Sequence, residues 1–208
     1  ASSTRCLRNG WLDKALRAFL IVLLALITTQ VRAQSSTEVT QFLVERVDDE
    51  VLVSAQVLFE LPAAVEDALL KGIPMFFVAE ADVLRERWYW SDRQVAAATR
   101  HMRLSYQPLT RRWRLSTSPV PFSNTGLGVV LGQNFDDLRD ALSSMQRISR
   151  WKIADGEAID ADVVHTVNFR FRLDLSQLPR PLQIGAVGSA GWSLMVTRNQ
   201  RLVPEVAR

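Results

Sequence analysis

Between Val167 and Leu173 the chain reads VNFRFRL, with every second residue apolar and only Asn and Arg between them. Side chains of an extended strand point to opposite faces in turn, so a period of two makes one face dry and the other wet. A helix would space its apolar residues three or four apart. The alternation recurs, less strictly, in TEVTQFLVERV (Thr37–Val47), VLVSAQVLFE (Val51–Glu60), RHMRLSYQ (Arg100–Gln107) and RRWRLST (Arg111–Thr117). Such a pattern predicts several half-buried strands covering a common core.

The segments between them read as turns and short helices. Asp48–Glu50 separates the first two strands as a hairpin turn, and Pro108-Leu109-Thr110 separates a later pair. Pro62 opens a short helix that stops before Gly72, with Val65, Leu69 and Leu70 as its buried stripe. An extended segment runs from Ile73 to Trp90. SPVPFSNTGLGVVLGQ reads as a loop with room for one short strand. Asn134 is the expected cap of a second helix, FDDLRDALSSMQ, with Asp137 three residues on and Phe135, Leu138, Leu142 and Met145 on one face. SRWKIA returns to strand, LPRPLQ is excluded from a central strand by its two prolines, and GWSLMVT is the last strand. The expected class is mainly β, an antiparallel β-sandwich with an immunoglobulin-like arrangement among its options and two short helices; α+β is the alternative. Leu104, Trp113, Phe169 and Phe171 take the apolar phase and belong in the core.

The first 33 residues carry another pattern. Arg5, Arg8, Lys14 and Arg17 precede the uncharged run AFLIVLLALITTQV, and Val31 and Ala33 then place small residues before Gln34. That is the layout of a secretory signal peptide, cleaved between Ala33 and Gln34, with 34–208 a single periplasmic domain. Only 14 residues separate Arg17 from Arg32, against the ~20 that span a bilayer as a helix. Membrane contact is expected through this segment alone, if it stays uncleaved. It also holds five of the 25 Lys/Arg and one of the 22 Asp/Glu, leaving 20 basic against 21 acidic residues in 34–208. A folded domain without excess positive charge is no nucleic-acid binder. The lone cysteine, Cys6, falls in the same segment, so the mature domain has no disulfide, cysteine zinc site or thiol nucleophile.

Little else points to chemistry. His101 and His165 are the only histidines, and no G-x-S-x-G elbow surrounds a serine, so a hydrolytic triad is not expected. Asp155, Glu157, Asp160 and Asp162 gather in ADGEAIDAD without calcium-loop spacing, and Gly126–Gly132 lacks a dinucleotide loop's helix. No catalytic residue, metal or cofactor is expected. The candidate binding residues are arginines and aromatics: Arg85, Arg87, Trp88 and Trp90 in RERWYW, with Arg103, Arg112 and Arg114 from neighbouring strands. Lys71 and Lys152 are the only lysines of 34–208, against eighteen arginines. Guanidinium binds carboxylate or phosphate through two parallel hydrogen bonds, which suits an anionic partner. The competing reading is a solvated face whose arginines pair with Glu45, Glu60, Glu80, Asp82 and Glu86 across strands.

ALLKGIPMFF, RERWYWSD, MRLSYQPLTRRWRL, the helix with Leu138 and Leu142, and LDLSQLPRPLQI followed by GWSL occur here in that order. From about Glu38 to Val196 the chain thereby resembles the secreted proteobacterial family catalogued as domain of unknown function 4390. It departs in its polar end, RNQRLVPEVAR, where no aromatic tail follows Trp192. The resemblance implies an exported envelope protein with no assigned activity or catalytic residue. It also implies a membrane sensor kinase as a partner, through gene neighbourhood. The expected function is a non-catalytic periplasmic binding or accessory module acting on an envelope protein or an anionic envelope component. A structural envelope protein and a carboxylate-dependent hydrolase are the alternatives.

Overall fold

The alternating runs become strands of two antiparallel sheets in the computed structural model, which describes residues 37–47, 49–87, 92–122, 131–160, 163–186 and 190–202. In chain order the strands are β1 (Glu38–Val47), β2 (Glu50–Leu58), β3 (Met75–Arg85), β4 (Arg93–Gln107), β5 (Arg112–Ser118), β6 (Leu131–Phe135), β7 (Arg147–Asp155), β8 (His165–Leu173) and β9 (Met195–Leu202). Three short helices join them: α1 (Ala63–Leu70), α2 (Leu138–Gln146) and α3 (Arg180–Ala186). One sheet has the order β1-β2-β7 and the other β6-β5-β4-β3-β8-β9, and neither closes into a barrel. The N-terminal stretch 1–33, which the sequence reading takes as a signal peptide, lies outside the described residues.

Aromatic contacts show which faces meet. Phe59, just past β2, stacks on Phe171 and Phe77 at ring-centroid distances of 5.3 and 6.0 Å, and Phe42 of β1 meets Phe169 at 5.6 Å. These contacts pass between the sheets, so the odd-numbered residues of β3 and β8 point into the core. Leu104, Trp113, Phe169 and Phe171 are all buried, as their alternation predicts.

The strand order is that of an immunoglobulin sandwich: β1-β2-β7 corresponds to A-B-E, and β5-β4-β3-β8-β9 to C″-C′-C-F-G. One strand departs. In that architecture the strand after C″ joins E as D, but β6 stays on β5, with Trp113 opposite Phe135 and Leu115 opposite Gln133. Strand β7 therefore ends its sheet, and three strands face six.

Several boundaries differ from expectation. The alanine-rich stretch Val95–Thr99 carries no strand signal of its own, yet it belongs to β4, where Ala98 and Ala97 pair with Ala81 and Asp82. Pairing along a central strand overrides propensity. Asn134 lies in β6 rather than at a helix cap; α2 begins at Leu138 after an extended Asp137 that makes no side-chain capping bond. In α1 the buried stripe is Val65, Ala68 and Leu69, while Leu70 is half exposed. The last strand starts at Met195 and runs through the polar RNQRL, which an edge strand tolerates. Around Pro181 there is indeed no strand, but a third helix, with the proline in a first turn that needs no amide donor.

Candidate ligand site

The structure divides the arginines singled out in the sequence. Arg103, Arg112 and Arg114 share the outer face of the larger sheet, opposite Ser116, Gln107 and Ser105 respectively. Arg85 lies elsewhere: it pairs with Arg93 at the far end of β4, ten residues from Arg103. At ~3.3 Å per residue the two stand about 30 Å apart. Arg87 follows Arg85 and is exposed, while Trp88 and Trp90 lie outside the described residues.

Most of these guanidinium groups are engaged internally. Arg85 donates to Asp160 at 3.0 Å, Arg112 pairs with Asp136 at 3.1 Å, and Arg103 stacks over Phe122 at 4.8 Å. Arg170 and Arg172 share Glu80 at 3.2 and 3.1 Å, and Arg201 pairs with Glu86 at 3.0 Å. Two of the acids expected to neutralise the face, Glu80 and Glu86, do so; Asp82 accepts from Gln94 instead.

The more enclosed feature is on the other side of the same sheet. Because β7 ends the small sheet, the inner faces of β4, β5 and β6 extend past it, and α2 covers only part of the gap. Gln146 of α2 donates to the Phe59 carbonyl at 2.8 Å and Ser144 to Gln133 of β6 at 3.2 Å, so the helix bridges the sheets. What remains is a cleft of about 880 Å³. Met102 and Leu115 from the large sheet and Met145, Ile148 and Trp151 from α2 and β7 give it apolar walls, with Leu131 and Gln133 of β6 also lining it.

Arg100 sits in this cleft. It is opposite Ala79, in the core-facing phase of β4, and its guanidinium lies 5.0 Å from the ring centroid of Trp151. Trp151 can reach it because of a bulge in β7. Ser149 and Arg150 together oppose Ser54, Arg150 adopts φ 45°, and its N–H donates to the Ser54 hydroxyl at 3.1 Å. The extra residue keeps Ile148 and Trp151 both inward although they are three apart. Burial pushes the pKa of Arg100 down, although a guanidinium stays charged at neutral pH. Among the described residues Arg100 has no ion-pair partner, and none of those lining the cleft is Asp or Glu. A second arginine, Arg147, lines the cleft with Ser143, Ser144, Ser149 and Thr117. The sequence reading missed Arg100, although its signal was present: it is in phase with Met102 and Leu104.

The two histidines sit in different strands, His101 in β4 and His165 in β8. His165 is buried and its Nδ1 donates to the Val163 carbonyl at 2.8 Å. His101, on the outer face opposite Val78, has a buried Nδ1 that finds no partner among the described residues. Burial pushes its pKa down; Asp174 and Glu80 act against that, and Arg172 acts with it. Burial also raises the Asp174 carboxyl, but hydrogen bonds from Ser176 and Gln177, with the charge of Arg172, hold it below its ordinary value. In the acidic loop Asp155 pairs with Lys152 at 2.8 Å and Asp160 with Arg85, and no metal-holding group of acids, histidines and cysteines occurs among the described residues. Asp162 lies outside them. No helix among them is long and apolar enough to cross a membrane.

The model of the family described as Domain of unknown function (DUF4390) matches residues 34–201. No curated protein and no solved structure matches the chain.

Proposed function

The chain belongs to the family of the domain of unknown function DUF4390, and we propose that it is an exported, non-catalytic binding module of the periplasm that holds an anionic group in its cleft. One observation carries the reading: Arg100 is drawn into the cleft against Trp151, where no carboxylate lines the walls among the described residues. A half-buried guanidinium without a counter-charge is costly, and an anion arriving from outside supplies the missing partner. Two facing carboxylates, which glycoside cleavage requires, are not among those lining residues. Export rests on the N-terminal pattern. A link to an envelope component or a sensor kinase rests on the family resemblance.

Native mass spectrometry of protein released from the periplasm tests both parts. The polypeptide should begin at Gln34 and carry a small anionic adduct that Arg100→Ala removes. A membrane-retained species still containing Trp11 would refute export. A wild type and a variant with identical adduct spectra would refute the anion site.

A further inference from the structure

The chemistry of the cleft narrows the ligand. The Arg100 guanidinium carbon lies over the Trp151 ring, 5.0 Å from its centroid, and its N–H groups meet no carboxylate among the described residues, which leaves them to a planar acceptor from outside. Inorganic anions are far smaller than a space of about 880 Å³, a volume within the ~300–1,000 Å³ typical of sites for organic ligands. The walls next to the arginine are apolar, and two of their residues, Met102 and Met145, are methionines, whose unbranched side chains adapt to flexible partners. Leu131, which lines the cleft from β6, is 70% exposed. Of the two arginines lining the cleft, Arg147 is exposed and only Arg100 is half-buried, so the enclosed part holds one guanidinium, which balances a single negative charge. A phosphate monoester carries about −1.5 to −2 at neutral pH and calls for a second enclosed cation.

We infer that the cleft is a site for an amphiphilic carboxylate, its acyl body lying against Met102, Leu115, Met145 and Ile148 and its headgroup on the edge of Arg100. This rests on the anion-binding reading above and gives it a ligand class. Ser143, Ser149 and Thr117 also line the cleft and suit its polar end, while the apolar walls remove the chain from water. Each methylene buried in this way leaves water for an apolar wall, so affinity should grow by about fourfold per added carbon until the walls end.

Calorimetric titration of the full chain tests the inference, with decanoate, decanol, decyl phosphate and inorganic phosphate as the probes. Decanoate should bind saturably at one site, and Arg100→Gln should weaken it by about tenfold or more, since one partner of a hydrogen-bonded charge pair is lost. Decanol should bind more weakly and ignore that substitution. Leu131→Glu, at an exposed position that leaves folding intact, should weaken decanoate more than decanol by placing a like charge in the cleft. Binding of decanoate to any other segment would be equal in all variants and cancels from the comparison. Equal affinities for decanoate and decanol, or decanoate binding indifferent to Arg100→Gln, would overturn the inference. Tighter, Arg100-dependent binding of decyl phosphate would overturn the carboxylate headgroup. If only inorganic phosphate binds in an Arg100-dependent way, the acyl inference falls while the anion-binding reading stands. If no anion does, both fall.

Discussion

Phe171 lies against Phe59 and Phe77, with ring centroids 5.3 and 6.0 Å away and none of its surface exposed. Phe171→Ala should lower stability in a denaturant melt by about 3–5 kcal/mol, because the close-packed rings around it cannot collapse into the space left. Gly72 is a second sensitive residue, for a backbone reason. After α1 its N–H donates to the Leu69 carbonyl at 2.8 Å, and the Ile73 N–H donates to Ala68 at 3.1 Å. That paired closure needs a left-handed residue, and Gly72 has φ 82°. A Cβ there would meet nothing closer than Pro108 at 3.9 Å, so strain alone sets the cost. Gly72→Ala should destabilise by about 1–2 kcal/mol, and an unchanged melting temperature would show that the turn can rearrange. Both residues were legible in the sequence, one as an apolar phase and one as a helix stop. Arg100 was legible only by extending the phase of Met102 and Leu104 back through His101, where a charged residue gives no cue that it faces inward.

At the scale of elements, strands with strict alternation were readable, and those whose pairing rests on neighbours were not. In β8 each residue announces its face. In the alanine-rich first half of β4 and in β6, cross-strand partners decide, and no local pattern carries that information. The outer face where β3, β4 and β8 meet holds a polar cluster with a pH signature. His101 titrates near 6.5 when unfolded, and burial depresses that value in the fold. Between the two values the unfolded chain binds more protons, so stability is whole above pH 6.5, falls as pH drops, and levels off below the depressed value. Asp174 adds a second loss, beginning below its ordinary 3.8. Denaturant midpoints of the wild type should therefore decline between about pH 7 and 5, while those of His101→Gln stay nearly flat there. Parallel profiles would show that the depressed histidine is not the cause.

The larger sheet bears arginines on both of its faces, and the position of one strand sets what becomes of them. With β6 on β5 instead of β7, the larger sheet presents both of its faces: an outer one, where Arg112, Arg170, Arg172 and Arg201 pair with acids, and an inner one, where Arg100 pairs with none among the described residues. The sequence shows alternation but not which strand leaves which sheet, so the outer arginines were legible and the cleft was not. The double variant Arg112→Glu/Arg114→Glu decides between the surfaces. The Arg112–Asp136 pair is 55% and 79% exposed, and pairs exposed to that degree contribute about 0–1 kcal/mol. Reversal also brings a like charge up to Asp136, yet in high dielectric and at physiological salt that repulsion is of similar size. Stability should therefore change by no more than about 1 kcal/mol. Anion capture in the cleft should not change, because neither side chain shares its face with Arg100. If the outer face were the working surface, the same reversal would abolish capture while stability held, and added salt would weaken capture by the wild type. Melting and titrating this one variant beside Arg100→Gln thus assigns the anion to one face of a single sheet.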